Sequence, residues 1–330
     1  MSTPEVLEHV KPLPVAEDPH LSVGVKAFLT ELNKGPALET LTPIQARQGV
    51  VDGQAAAKVD VSSTEVSEKT ITANGYNVVL NVVRPAGING TLPVFIFIHG
   101  GGWLLGDFPT HQRMVRDLVV LTGYCGVFIN YTRTPDAAFP QAINEIYAAT
   151  KWVAENGEEI GVDGKNLAIV GNSVGGNMTT VTALQAKENG SPHIKLLILM
   201  WPIVDADFDT DSYQRFGENR FLTTPLMKWL YDMYIPNPED RKQVYASPLR
   251  ATIDQLRGLP PTLIQLAEND VLRDEGEAFG RKLDEAGVAV TTVRYNGVIH
   301  DFGLLNGLAE LPVVRSMFIQ AAAELKRYLS

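Results

Sequence analysis

Short apolar runs alternate along the chain with longer stretches whose apolar residues recur at helical spacing. Two runs, VFIFI at 94–98 and LLILM at 196–200, are almost continuously apolar, which is typical of strands covered on both faces. This alternation of strands and helices predicts an α/β fold, a mostly parallel eight-stranded sheet with helices on both faces. The predicted strands are 64–73, 76–84, 94–98, 125–131, 167–170, 194–201, 262–267 and 290–295.

The helical stretches lie between these strands, and one turn signal fixes the start of the sheet. Asn74-Gly75 separates the first two strands, and this dipeptide is typical of a tight hairpin, so we expect these strands to be antiparallel at a sheet edge. The predicted helices are 110–121, 139–156, 173–188, 273–286 and 313–328.

Two regions do not follow the strand and helix alternation. Residues 1–55 hold two short amphipathic pieces, 22–32 and 42–51, and residues 203–246 hold an acidic loop followed by TTPLMKWLYDMY. Each is too long for an ordinary connection, so we interpret them as a helical cap over a catalytic domain of residues 56–202 and 247–330. The alternative is peripheral helices with no gating role.

Composition narrows the possible partners. The chain of 330 residues has 28 Lys and Arg against 38 Asp and Glu, a net charge of -10, which disfavours binding to nucleic acid or to anionic lipid. No segment has the roughly 20 apolar residues of a membrane span, and the first 20 residues lack the apolar core of a signal peptide, so we expect a cytoplasmic protein. The single Cys125 lies in an apolar run and is expected to be a buried, inert thiol.

The segment Gly171-Asn172-Ser173-Val174-Gly175 fits the G-x-S-x-G pattern of a nucleophile elbow. In such an elbow a strand turns sharply into a helix and the serine is strained, so the residues two before and two after it must be nearly free of side chain. The alternative is a glycine-rich turn with a solvated serine.

A run of three glycines, His99-Gly100-Gly101-Gly102-Trp103, directly follows the VFIFI strand. Without Cβ atoms the backbone NH groups can point at a ligand, as an oxyanion hole or a phosphate loop requires. A phosphate loop would need a Gly-Lys-Ser/Thr ending, and a dinucleotide site would need G-x-G-x-x-G opening a helix. Neither is present, so an oxyanion hole for acyl transfer is the favoured interpretation.

A nucleophilic serine needs a base, and in this kind of sheet the chain order is serine, acid, histidine. Only His193 and His300 follow Ser173. The sole carboxylate between Ser173 and His193 is Glu188, which at 1.5 Å per helical residue would lie on the order of 20 Å from the serine. His300 is therefore the predicted base.

The orienting acid is expected where the strand TLIQLA ends. Glu268 is still at the strand edge and Asp274 is already in the next helix, so Asp270, in the loop between them, is the predicted acid. The alternative role for Asp270 is a helix cap, and the two roles are compatible.

These segments together resemble the hormone-sensitive lipase family of α/β-hydrolases. The resemblance is carried by HGGGW, by G-x-S-x-G-G-N, by AENDVLRDEG, by the late histidine before Phe, by NYTRTPDAAFP and by Ser-Pro-Leu at 247–249, and it covers most of the chain from about residue 65. It implies that Ser173 is the nucleophile, Asp270 the acid and His300 the base. It also implies oxyanion donors at Gly101, Gly102 and Val174, a helical cap, and dimerisation through the last strand, here 290–295.

The chain departs from the family pattern beside the elbow and beside the base. Asn172 stands where the family usually has Asp, Val174 where it has Ala, and Asp301 where it has Gly. An added carboxylate at 301 is expected to raise the pKa of His300, and a lost carboxylate at 172 is expected to act in the opposite direction.

We therefore expect a serine carboxylesterase that hydrolyses small short-acyl esters and needs no metal or cofactor. The alternatives are an amidase of the arylacetamide type or a non-catalytic binding protein on the same fold. Candidate pocket residues, for each of which packing is the competing role, are Trp103, Leu104, Phe221 and Trp229.

Overall fold

The computed structural model describes residues 13–330, so residues 1–12 of the predicted cap segment lie outside the described residues. Within the described part, the strands are β1 Thr64–Ala73, β2 Tyr76–Pro85, β3 Leu92–Ile98, β4 Cys125–Asn130, β5 Val162–Asn172, β6 Leu196–Met200, β7 Thr262–Asn269 and β8 Val290–Ile299. The α-helices there are α1 Val23–Leu32, α2 Pro43–Ala55, α3 Phe108–Thr122, α4 Gln141–Asn156, α5 Val174–Asn189, α6 Asp211–Phe216, α7 Thr224–Tyr234, α8 Ile253–Leu256, α9 Arg273–Glu285 and α10 Pro312–Leu329.

Over residues 13–330 the strands form one eight-stranded sheet in the order β1-β2-β4-β3-β5-β6-β7-β8. The pairs β1–β2 and β2–β4 are antiparallel, and every later pair is parallel. The predicted edge hairpin is confirmed: Asn74 and Gly75 have φ of 49° and 84°, which a two-residue turn between twisted strands requires. The α/β fold with a mostly parallel sheet is likewise confirmed.

Two apolar layers cover the two faces of the sheet. In β3 the residues alternate between them: Ile96 packs in the layer with α4, α5 and α9, while Phe95 and Phe97 pack in the layer with α1, α3 and α10. This explains the uninterrupted apolar run of the strand, because neither face is left to water. It also places the carboxyl ends of the central strands at one edge of the sheet, where the loops carrying polar residues begin.

The last strand is longer than the sequence predicts. Asn296-Gly297 resembles a turn, and the predicted strand stops at residue 295, but β8 continues to Ile299 after an irregularity in its pairing with β7. Gly297 has a φ of 78°, which a glycine adopts without strain, so the strand continues beyond the irregularity. His300 therefore follows β8 at once, rather than a few residues later.

Residues 13–22 tie the carboxyl ends of β7 and β8 to the 203–246 segment. The His20 carbonyl accepts a hydrogen bond from Asn269 Nδ2 at 2.9 Å, and Ser22 N donates to the Gly297 carbonyl at 3.0 Å. Asp18 Oδ2 accepts from Arg220 Nη2 at 2.7 Å, and both side chains are buried. The residues around the predicted acid and base are thus connected to residue 220 through this strap.

Replacing Asp18 with asparagine should destabilise the protein by about 3 kcal/mol, because removing one member of a buried ion pair leaves the other charge uncompensated. The hydrogen bonds from His20 N and Arg220 outweigh burial and hold the pKa of Asp18 below its usual value. Its contribution is therefore present at neutral pH and is lost as the pH falls through that lowered pKa. Denaturant unfolding at neutral and acidic pH measures both effects.

The matched control is Asp254→Asn, because Asp254 pairs with Arg257 at 2.6 Å but both side chains are well exposed, at 81% and 65%. An exposed pair contributes about 0–1 kcal/mol, so this variant should unfold nearly as the wild type does. Equal losses in the two variants would contradict a stabilising role for the buried pair.

The 203–246 segment lies against the three-glycine loop. A Cβ atom on Gly102 would come within 2.3 Å of Leu230 in α7, and the Trp103 ring stacks on Tyr234 with centroids 4.4 Å apart.

Within residues 13–330, no helix has the length and apolarity to cross a membrane.

Candidate active site

Ser173 stands at the sharp turn between β5 and α5. Its backbone has φ of 54° and ψ of -122°, a strained conformation that points to a functional constraint. A Cβ atom on Gly171 would lie 2.3 Å from the Gly175 carbonyl oxygen, and one on Gly175 would lie 2.0 Å from the Ile98 carbonyl oxygen. The two glycines of the motif are therefore required by close backbone approach.

Ser173, His300 and Asp270 form a continuous hydrogen-bonded chain. Ser173 Oγ lies 3.0 Å from His300 Nε2, and His300 Nδ1 lies 2.8 Å from Asp270 Oδ2. All three side chains are buried. They follow the carboxyl ends of β5, β8 and β7, so the parallel sheet brings together residues that are far apart in the sequence. The alternative base, His193, is exposed in the turn before β6.

Asp270 also organises the turn that follows β7. Its Oδ1 accepts a hydrogen bond from Leu272 N at 3.0 Å, while Oδ2 faces His300. The carboxylate therefore both braces the turn before α9 and contacts the imidazole. It is not a helix cap, because Leu272 stands at the N-cap of α9 and this end has no side-chain cap hydrogen bond. Because one oxygen is held by the backbone, the other has a fixed direction toward His300 Nδ1.

Burial and charge act in opposite directions on His300. Burial disfavours the imidazolium, but the carboxylates of Asp270 and Asp301 outweigh it and raise the pKa of His300 above its ordinary value. The cationic form is thus stabilised in the site. A histidine in this state is suited to hold the proton that it takes from a neighbouring hydroxyl.

The three-glycine loop packs directly against the elbow. Gly100 N donates to Asn172 Oδ1 at 2.9 Å, and Gly101 and Gly102 have φ of 108° and 61°. A Cβ on Gly101 would lie 2.4 Å from the Leu105 carbonyl oxygen, so the tight turn of this loop requires glycine. The predicted oxyanion donors Gly101 and Gly102 thus lie in the loop beside the elbow, and Val174 directly follows the serine.

The four predicted pocket residues differ in their surroundings. Trp103 is buried between Tyr231 and Tyr234 of α7, and Leu104 is fully buried with its carbonyl accepting from Arg47 of α2. Both therefore pack between the glycine loop and the two irregular segments. Phe221 and Trp229 are half-buried and pack against the apolar layers.

Sequence reasoning missed Trp201 and His111, which complete the polar surroundings of the site. Trp201 Nε1 donates to Asp301 Oδ1 at 2.7 Å, and His111 Nε2 lies 3.4 Å from Asn172 Nδ2. Burial lowers the pKa of His111 to about 4, so this ring is neutral at ordinary pH. Trp201 directly follows β6 at the edge that carries the serine, and this position was the available signal. His111 lies in α3 and had none.

Comparisons with known proteins identify the family to which this chain is similar. A family model described as alpha/beta hydrolase fold matches residues 95–304. A crystal structure of a thermostable esterase from Pseudomonas putida is 56% identical, with a TM-score of 0.93 over 95% of this chain and 99% of that chain. Carboxylesterase NlhH of Mycobacterium tuberculosis is 30% identical over 80% of this chain and 83% of its own length. An ethyl acetate hydrolase of Pseudomonas putida is 29% identical over 88% and 94%.

The chain therefore belongs to the α/β-hydrolase family. The resemblance to its hormone-sensitive lipase branch is confirmed, and within that branch the protein is a carboxylic ester hydrolase.

Proposed function

We propose that the protein hydrolyses small short-acyl carboxylic esters through a covalent acyl-enzyme on Ser173. The observation that carries this proposal is the hydrogen-bonded chain from Ser173 through His300 to Asp270 at the strained elbow. The relative named ethyl acetate hydrolase supports a short acyl group. A positioned serine and histidine can hydrolyse an ester with water as the only further reactant.

The first half of the reaction forms the acyl-enzyme. Ser173 Oγ attacks the ester carbonyl carbon while His300 Nε2 takes the hydroxyl proton, and the imidazolium donates from Nδ1 to Asp270. The carbonyl electrons move onto the oxygen, which accepts hydrogen bonds from the NH groups of Gly101, Gly102 and Val174. The ester C–O bond then breaks, and the proton on His300 passes to the departing alcohol.

The second half releases the acid. Water loses a proton to His300 Nε2 and attacks the acyl carbon, the bond to Ser173 Oγ breaks, and the proton returns to the serine. Because His300 serves as base and then as acid in each half, its proton must be held firmly but reversibly. The raised pKa of His300 is consistent with that requirement.

We also propose that residues 1–55 and 203–246 form a cap over the catalytic domain of residues 56–202 and 247–330. The contacts of Leu230 with Gly102 and of Tyr234 with Trp103 support this division. Phe221 and Trp229, which are only half-buried, are the better candidates for an acyl or alcohol pocket. Trp103 and Leu104, which are buried, would shape the pocket through packing.

An acyl-length series of nitrophenyl esters tests this function. We expect kcat/KM to be highest for acetate or butyrate and to fall by about tenfold or more toward octanoate, the change that a poorly accommodated chain would cause. A fluorophosphonate probe should label the wild type and should not label Ser173→Ala. A folded wild type that takes no label would refute the serine mechanism, and equal rates on matched aryl acetate and acetanilide substrates would favour an amidase.

Three expectations from the sequence stay predictions. β8 lies at the end of the strand order, so two copies could pair through residues 290–295 to make a homodimer. The acidic net charge still disfavours nucleic acid as a partner. The cytoplasmic location also stays a prediction.

A further inference from the structure

Two of the three departures from the family pattern, Asn172 beside the elbow and Asp301 beside the base, are in direct contact. Asn172 Nδ2 donates to Asp301 Oδ1 at 3.1 Å, although the two residues are 129 positions apart in the chain. The family usually has Asp at position 172 and Gly at position 301. This chain has Asn and Asp there, so the contact still has one carboxylate, but it belongs to residue 301 instead of residue 172. The two substitutions therefore form one unit.

Asp301 is held in a fixed orientation by neutral donors. Its Oδ1 accepts from Asn172 Nδ2 and from Trp201 Nε1, at 3.1 and 2.7 Å, and its Oδ2 lies 3.9 Å from His300 Nε2. Hydrogen bonds from neutral donors favour the ionised carboxylate. One oxygen is thus anchored, and the other faces the ring nitrogen that contacts the serine.

Asn172 has a side chain that suits both of its neighbours. Its Oδ1 accepts from Gly100 N at 2.9 Å while its Nδ2 donates to Asp301. An aspartate at this position could still accept from Gly100, but it would present a second carboxylate to Asp301 at hydrogen-bonding distance. Two buried carboxylates this close cannot both ionise, so the amide is what allows Asp301 to keep its charge.

We propose that Asp301 is a second carboxylate for His300, a positioning residue that stabilises the imidazolium from the serine side, and that Asn172 is required for Asp301 to act in this way. The proposal rests on the proposed function, in which His300 becomes positively charged during each half of the reaction. At 3.9 Å from Nε2, Asp301 is too far to accept the proton itself, so it acts through charge.

The charged and titratable groups around His300 come from four elements. Asp270, from the loop before α9, contacts Nδ1. Glu275 of α9 accepts hydrogen bonds from Val204 N and Asp205 N, and burial raises the pKa of its carboxyl. His111 of α3 faces Asn172 and Asp301 and is neutral, with Arg113 of the same helix beside it. Among the described residues, the carboxylates that raise the pKa of His300 are those of Asp270 and Asp301.

The sign of the pH effect follows from the role of His300 as a base. Free enzyme is active when His300 is neutral, so a carboxylate that raises the pKa of His300 moves the acid limb of kcat/KM to higher pH. Removing the charge of Asp301 should move this limb to lower pH. It should also lower kcat on the plateau, by about tenfold, because the imidazolium in the transition state loses one stabilising charge.

The deciding variant is Asp301→Asn, which keeps the shape and the acceptor for Asn172 and Trp201 but removes the charge. We expect its acid limb, measured with nitrophenyl acetate, to lie at lower pH than that of the wild type. An Asp301→Asn enzyme with the wild-type acid limb and the wild-type kcat would overturn the proposal. If the other variants fail to fold, Asp301→Asn by itself still tests the role of Asp301.

The role of Asn172 is tested by a double-mutant cycle with Asn172→Asp, Asp301→Gly and the double variant. Asn172→Asp alone should lose about a hundredfold in kcat/KM at neutral pH, because a buried carboxylate pair distorts the contact with the glycine loop. The double variant should regain most of that activity, since it has a single carboxylate again. A double variant no more active than Asn172→Asp would refute the pairing.

Failure of the proposed function gives a different result from failure of this proposal. If Ser173 is not the nucleophile, Ser173→Ala retains activity and no fluorophosphonate label appears on the wild type. If only the proposal about Asp301 is wrong, labelling depends on Ser173 as expected and the acid limb does not respond to Asp301→Asn. Thermal unfolding of each variant distinguishes a lost fold from a changed site.

Discussion

Replacing Ser173 or His300 with alanine should lower kcat for nitrophenyl acetate by about 10⁵-fold or more, and replacing both should lower it no further than the larger single loss. The structure gives the reason: Ser173 Oγ and His300 Nε2 are 3.0 Å apart and act on one proton. Without the histidine the hydroxyl has no base, and without the serine the base has no nucleophile to activate. The measurement is steady-state kinetics on folded variants, with active-site titration of the wild type.

His193→Ala is the matched control, because His193 is the other histidine that follows the serine and it is exposed away from the site. This variant should keep the wild-type kcat and KM. If the double variant loses the product of the two single losses, the serine and histidine act independently and the hydrogen-bonded pair is not a catalytic unit. Retained activity in Ser173→Ala would show that another group carries the reaction.

The sheet could be predicted from the sequence because its strands are apolar on both faces or alternate cleanly. Asn74-Gly75 predicts the hairpin of β1 and β2, and an apolar run bounded by polar residues predicts β3. The end of β8 could not be predicted, since Asn296-Gly297 carries a turn composition and only the pairing with β7 shows that the strand continues. Local composition does not report a tertiary irregularity of this kind.

The three hydrogen-bonded residues of the candidate site could be predicted because chemistry restricts a serine, its base and its acid to few residue types in a known chain order. The motif supplied Ser173, and elimination among two histidines supplied His300. The contact between Asn172 and Asp301 could not be predicted, because each residue appeared as a separate departure and only the fold brings them together. The opposite pKa effects expected of the two departures belong to a single hydrogen-bonded pair.

The strap formed by residues 13–22 shows a second limit of sequence reasoning. The Pro and acidic residues near the N-terminus predict an arm that stays loose unless it is docked, and in the structure His20 and Ser22 hydrogen-bond to the ends of β7 and β8. The strap is ordered by its partners on other elements. The main partner is Arg220, whose charge is neutralised by Asp18 in a buried ion pair. Contacts between residues this far apart in the chain leave no pattern in the local amino-acid sequence.

Replacing Gly175 with alanine should lower both stability and activity. The new methyl group would lie 2.0 Å from the Ile98 carbonyl oxygen and 3.0 Å from the His99 carbonyl carbon, both backbone atoms of the central strand and its continuation. Backbone in the middle of a sheet cannot shift as a flexible side chain does, so we expect a loss of about 3 kcal/mol or more in the free energy of unfolding. Chemical denaturation measures this loss.

The activity loss has a separate cause, and a glycine elsewhere in the chain provides its control. Any movement that relieves the clash separates the elbow from the glycine loop that begins at Gly100, and a misplacement of about 1 Å in such a site costs on the order of a hundredfold in kcat. Gly53→Ala, in α2, places its methyl group in open space and should leave kcat unchanged. A Gly175→Ala enzyme with the wild-type kcat and midpoint of unfolding would contradict the close packing of the elbow against β3, and with it the geometric reason for a glycine two residues after Ser173.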